Sequence, residues 1–218
     1  MNAGLSTQEI CRIRANVFRT ISGLFLAEPS QELLNDLALD ETWEIVSIFA
    51  APSALKPLRD LAQSRQFGIE ELRLAFHTLF KVPLGAYVFP FESCYRMATP
   101  PGPLTGPPAI EVQSAYAAAG FELAPDLAEP PDHVGIELAF VAELLDRHAM
   151  AQDTADPESV AAVAARIHAF CRDHLNRWLP VLRDRIRDGG TSPFYAAVGT
   201  LSADLIRQLV ESPTAASG

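Results

Sequence analysis

Residues Ser6–Phe25 read "STQEICRIRANVFRTISGLF". Ser6 followed three residues later by Glu9 fits a capping box, in which each side chain satisfies a backbone N–H that the first helical turn leaves free. Ile10, Ile13, Val17, Ile21, Leu24 and Phe25 then recur at helical spacing on one face. Pro29 stops the segment. The same reading extends along the chain. Shorter helices are predicted over 31–39, 41–50, 54–65 and 69–80, with Asp40 and Ser53 as N-caps. Helices resume over 108–119, closed by Gly120, and over 132–150. A long stretch runs from 156 to 188 with a kink or break at Pro180, and a last helix spans 193–211. No strand alternation and no internal repeat appears, so the predicted fold is all-α, a single-domain helical bundle over residues 1–218.

Between the two helical groups the pattern changes. Prolines at 83, 90, 100, 101, 103, 107 and 108 deny regular helix, and the segment predicts a long loop with a hinge over 97–108. Tyr87, Phe89, Phe91 and Tyr95 give that loop enough aromatic surface to be ordered. The tail 212–218 is predicted to fray.

Composition narrows the function classes. The chain has 218 residues, 49% of them apolar, which suffices for one sizeable core. A formal net charge of −10 argues against nucleic acid and against anionic membrane surfaces. Three separated cysteines without a CxxC motif predict reduced thiols rather than a disulfide framework. The N-terminus lacks the pattern of a secretory signal, and no apolar run approaches a membrane span, so a cytoplasmic location is expected.

The chemistry-bearing candidates are few. A phosphate-gripping loop and a nucleophile elbow are both missing. His168, Cys171 and His174 do not converge on one side of a helix, and His133 with Glu137 supplies only two ligands, so no metal and no cofactor is expected. Residues Glu129–Phe140, "EPPDHVGIELAF", place an Asp–His pair behind two prolines at the mouth of a helix. Asp132 suits an N-cap that accepts from the N–H of Val134 or Gly135. The same pair also suits peptide recognition or, with Glu137, acid–base chemistry in a small helical enzyme.

Three stretches, taken in order, resemble the TorD/DmsD/NarJ family of cytoplasmic chaperones for molybdoenzymes. Phe76–Arg96, "FHTLFKVPLGAYVFPFESCYR", is similar to the family's Leu-Phe and Pro-Tyr-Glu-Ser signature. Glu129–Leu145, "EPPDHVGIELAFVAELL", resembles its Glu-Pro-x-Asp-His motif. Residues 170–201 are similar to its His-Leu, Trp and Phe-Tyr pattern.

The resemblance implies an all-helical, non-catalytic protein. It would bind the twin-arginine-type signal peptide of a molybdenum-cofactor oxidoreductase and hold back export until the cofactor is inserted. It further implies a monomer able to form domain-swapped dimers. The implied peptide-binding residues are Leu79, Phe80, Pro90, Phe91, Glu92, Ser93, Tyr95, Glu129, Pro130, Asp132 and His133. Phe91 stands where Tyr or Trp is commoner, and Val134–Gly135–Ile136 reads as ordinary variation.

Overall fold

The computed structural model describes residues 5–64, 67–97, 106–125, 127–154 and 156–211. Helices make up 74% of these residues, and no named strand occurs among them. The order is α1 (Thr7–Leu26), α2 (Gln31–Leu37), α3 (Asp40–Val46), α4 (Pro52–Ser64), α5 (Ile69–Phe80) and the single turn α6 (Ser93–Arg96). Then come α7 (Pro107–Ala118), α8 (Val134–Asp153), α9 (Pro157–Asp173), α10 (Leu175–Asp188) and α11 (Pro193–Glu211).

The capping box forms as its spacing requires. Glu9 N donates to Ser6 Oγ at 3.2 Å, and Ser6 N donates to Glu9 Oε2 at 2.8 Å. The buried face of α1 is offset from the predicted stripe. Cys11, Ala15, Phe18, Ser22 and Phe25 point inward, whereas Ile13 and Val17 are only half-buried. The reason lies in the partner. α1 packs along α8, the most extensive helix pair in the fold, and the closest approach is made by small groups. Ser22 Oγ donates to Gly135 O at 2.6 Å. A Cβ on Gly135 would stand 2.5 Å from Leu26 Cγ and 3.0 Å from Ser22 O. Gly135 is therefore a contact requirement and not ordinary variation.

One hydrophobic cluster runs through α1–α5 and α7–α11. Its aromatic spine includes Phe25–Phe80 at 5.6 Å and Phe80–Tyr195 at 5.3 Å, which tie α1, α5 and α11 together edge to face.

Gly120 at φ +64° ends α7 in the left-handed region, as predicted, and Gly190 at φ +63° follows α10 in the same conformation. Several boundaries differ. Asp40 lies inside α3 behind Leu39, and Ser53 lies inside α4. The long stretch breaks at His174 (φ −113°, ψ −93°), and Pro180 sits inside α10. His174 turns toward a buried carboxylate described below, and the break falls six residues before the proline. Of the predicted hinge, residues 98–105 lie outside the described residues, as does the tail 212–218.

Candidate functional site

The loop after α5 folds back on the helix it leaves. Val88 N donates to Leu79 O at 2.8 Å. Pro90 has no N–H, so it offers only its carbonyl, and Val134 N donates to it at 2.8 Å. Two residues on, Glu92 N donates to Asp132 O at 2.9 Å. These two bonds make an isolated antiparallel bridge between Phe91 and His133. The Phe91 ring meets the His133 imidazole edge to face at 5.4 Å. The first two family-like motifs are thus one structural unit.

The caps are exchanged relative to the sequence expectation. Asp132 does not cap α8. Its Oδ2 accepts from Ser93 N at 2.8 Å, at the start of α6. The N-cap of α8 is His133, whose extended backbone places Nδ1 3.0 Å from Gly135 N as an acceptor. That bond requires the neutral ring with its proton on Nε2. Burial pushes the His133 pKa down to about 4, so the ring stays neutral near pH 7. Asp132 is fully buried, and desolvation raises its pKa. Sequence alone locates the bend correctly and assigns the wrong donor, because Ser93 lies 39 residues away in the chain.

The third motif closes the cluster. Glu92 is fully buried at the base of α6. Its Oε1 takes Arg96 Nη1 at 2.5 Å, and its Oε2 lies 3.0 Å from His174 Nδ1. Arg96 also reaches Glu111 of α7 at 3.2 Å. Glu137 of α8 is buried as well, and its Oε2 accepts from Trp178 Nε1 at 3.4 Å. Desolvation, reinforced by the Glu92 charge, pushes the Glu137 pKa well above the carboxylate range. Burial therefore favours the protonated form of Glu137. Trp178 stacks on Tyr95 with ring centroids 5.5 Å apart, and Tyr95 Oη donates to Phe89 O at 2.7 Å.

The residues expected from the resemblance now divide by accessibility. Leu79, Phe80, Pro90, Phe91, Glu92, Ser93, Asp132 and His133 are buried. Tyr95, Glu129 and Pro130 are partly exposed. Glu129 pairs with Lys81 at 2.5 Å. Four contributors to the cluster stood outside the expected set: Arg96, Glu137, His174 and Trp178. His174 and Trp178 lie in the third motif, and that was the available signal. Among the described residues, no group of three or more His, Cys, Asp or Glu side chains is placed to hold a metal ion.

Beside this cluster the surface opens into a groove of about 440 Å³. Its walls are Tyr87, Phe89 and Tyr95 on one side and Arg185, Asp188 and Gly189 at the end of α10 on the other. Glu129 is close enough to raise the Tyr87 pKa, behind the larger effect of burial. The floor is apolar and the rim is charged.

The sequence profile described as nitrate reductase delta subunit matches residues 50–184. That span holds the bridge, the caps and the buried carboxylates. The chain belongs to this family. It is 29% identical over 195 residues to a protein named chaperone protein TorD from Vibrio atlanticus strain LGP32, covering 86% of this chain and 88% of the relative. It is 27% identical over 203 residues to a TorD chaperone of Vibrio cholerae O395, covering 89% of each. A candidate redox enzyme maturation protein of Archaeoglobus fulgidus superposes with a TM-score of 0.39 at 15% identity, over 86% of this chain and 96% of that one.

The family is that of TorD-type chaperones, and this chain is a chaperone of redox-enzyme maturation, not an enzyme. The acid–base alternative finds no support in the geometry. His133 is buried, engaged at Nδ1 and low in basicity, and Glu137 is closed inside the core, where burial raises its pKa.

Proposed function

We propose that this chaperone binds the N-terminal, twin-arginine-type signal peptide of a molybdenum-cofactor oxidoreductase, in the cytoplasm and before export, while the cofactor is inserted. The reading rests on one observation above the others. The residues shared with the family's first and third motifs meet at Tyr95, whose ring is held by Trp178 beneath and by Phe89 O beside it, and Tyr95 forms a wall of the aromatic groove.

The chemistry of the peptide fits that groove. An apolar stretch gains by leaving water against Tyr87, Phe89 and Tyr95. Guanidiniums pair best with carboxylates; Asp188 lines the groove and Glu129 lies near enough to Tyr87 to act on its hydroxyl. Both already hold surface ion pairs, Asp188 with Arg187 at 2.9 Å and Glu129 with Lys81. The exposed Asp188 pair contributes only ~0–1 kcal/mol, so its exchange for a peptide arginine costs little.

In this proposal the buried members of the expected set act indirectly. Leu79, Phe80, Pro90, Phe91, Glu92, Ser93, Asp132 and His133 shape the groove wall, while Tyr95, Glu129 and Pro130 meet the peptide. The chain acts as one helical domain without a metal or cofactor of its own. Exchange of helices through the proline-rich connection would give a minor dimer, which sedimentation over a range of concentrations would detect.

The test is calorimetric titration of twin-arginine signal peptides from molybdoenzymes encoded in the same genome. Tyr87→Ala with Phe89→Ala should weaken binding about tenfold or more, with little change in melting temperature. Equal affinity for wild type and variant would remove this groove from consideration.

A further inference from the structure

Glu137 of α8 is a fully buried carboxyl to which peptide binding assigns no role. Glu92 of α6 and Asp132 of the preceding loop lie near enough to oppose its charge. Arg96 of α6 acts on it as well, but Arg96 is already paired with Glu92 and Glu111. Glu137 Oε1 has no hydrogen-bond partner among the described residues, while Oε2 accepts from Trp178 Nε1 at 3.4 Å. Apolar side chains of the same shape in place of both partners would be nearly neutral for stability. Stability alone therefore does not account for a carboxyl at this position.

The geometry supplies another reason. Glu137 stands one turn after His133, the N-cap of α8, and Trp178 stands one turn after His174, where α10 begins. Each histidine is engaged: His133 Nδ1 accepts from Gly135 N at 3.0 Å, and His174 Nδ1 lies 3.0 Å from Glu92 Oε2. One turn further on, carboxyl and indole meet. Trp178 is fully buried, so its single N–H needs an acceptor inside the protein, and Glu137 Oε2 provides it. The Trp178 ring stacks on Tyr95, tilted by 21° with centroids 5.5 Å apart. Tyr95 Oη donates to Phe89 O at 2.7 Å, and Tyr95 is the partly exposed end of the series, lining the groove beside Tyr87 and Phe89. A chain of contacts thus runs from the core of α8 to the groove wall.

We infer that Glu137 is a positioning residue of the groove: its carboxyl holds the Trp178 indole, and the indole holds Tyr95 in the wall that a ligand meets. Glu137 itself, closed inside the core, does not touch the ligand. The effect on affinity rests on the signal-peptide reading above, whereas the effect on the place of Tyr95 does not.

Two substitutions isolate the acceptor. Glu137→Gln keeps an oxygen that can accept from the indole, and Glu137→Leu removes it at comparable size. The readout is nuclear magnetic resonance of the full chain with isotope-labelled Trp and Tyr. Two Trp and four Tyr give few signals, which Trp43→Phe and Tyr95→Phe assign. Trp43, whose indole donates to Leu37 O at 2.7 Å, is the internal control. In Glu137→Leu the Trp178 N–H signal should move upfield and the Tyr95 ring signals should move with it, while Trp43 stays. Glu137→Gln should leave all of them near wild type. The signal peptide of the calorimetric test should bind Glu137→Leu about tenfold more weakly and Glu137→Gln within about twofold of wild type. Val46→Ala, a core truncation in α3 outside this chain of contacts, should melt lower and keep wild-type affinity. Should Glu137→Leu alone unfold, Glu137→Leu with Trp178→Phe, which leaves no indole N–H unpaired, carries the same expectations for Tyr95 and for affinity. Unmoved Tyr95 signals in Glu137→Leu overturn the inference, as do equal shifts in Glu137→Gln or equal loss of affinity in Val46→Ala. So does unchanged affinity in Glu137→Leu where Tyr87→Ala with Phe89→Ala still weakens the peptide. A wild type that binds no signal peptide, with the Trp178 and Tyr95 signals responding as expected, would sink the signal-peptide reading and leave the positioning intact.

Discussion

Glu92→Ala should destabilise this protein more than any surface substitution, although Glu92 belongs to a motif expected to bind a ligand. The carboxylate is fully buried and holds Arg96 at 2.5 Å and His174 at 3.0 Å. Truncation leaves both without their central acceptor. Removing one partner of a buried pair costs about 3–5 kcal/mol. Arg96 keeps Glu111 at 3.2 Å, and its side chain is 13% exposed, which favours the lower end. For a chain of this size each kcal/mol moves the melting temperature by about 2–4 °C, so a fall of about 6–12 °C is expected. Glu92→Gln keeps one acceptor and should lie between, at a cost of about 1–3 kcal/mol. The assay is thermal unfolding by circular dichroism, with urea titration to check that the denaturant slope is unchanged. A melting temperature for Glu92→Ala within about 2 °C of wild type would refute the buried-staple reasoning and return Glu92 to the ligand-facing set.

Other expectations follow from the same geometry. Because the folded-state pKa of Glu137 is raised above its unfolded value, the folded protein holds a proton that the unfolded chain releases. Wild-type stability should therefore fall as pH rises above the unfolded carboxylate value of about 4.3. Glu137→Gln mimics the protonated form, and the stability difference between variant and wild type should grow in the variant's favour from pH 5 to pH 8. Asp132 titrates in the same direction in both proteins, so the difference isolates Glu137. His133 has the opposite sign. Its folded pKa of about 4 lies below the unfolded value of about 6.5, so stability is lost as pH falls through that window, and urea midpoints measured from pH 4 to 8 in Glu137→Gln should show it opposed by Asp132 but no longer by Glu137. Gly135→Ala should cost about 1–3 kcal/mol by forcing α8 away from Leu26 and Ser22, seen as a lowered urea midpoint at unchanged slope.

Much of the fold is local and therefore readable. The Ser6–Glu9 box and the glycine stops at Gly120 and Gly190 depend on residues within one turn, and each forms as its spacing requires. What cannot be read from spacing is pairing at a distance. His174 at the break meets a carboxylate 82 residues earlier, and the cap of α6 comes from a residue 39 positions later. The site shows the same limit. The motifs named Glu92, Asp132 and His133 as important, and their polarity suggested contact with a ligand. The structure shows them buried, engaged in the bridge, the caps and the Arg96 and His174 pairs. Tyr87 and Phe89, noticed only as aromatic content in a proline-rich loop, form the accessible wall. The apolar positions Ile13 and Val17 satisfied the helix period yet face a groove, because periodicity identifies an apolar face and not what covers it.

The measurement closest to the central claim is amide hydrogen exchange of the chaperone with and without a bound twin-arginine signal peptide. The account predicts added protection in the loop 85–89, around Tyr95, and at the end of α10 near 185–189, with the segment 36–46 unchanged. Protection confined to 36–46 and α1, with the loop and α10 exchanging as before, would contradict it.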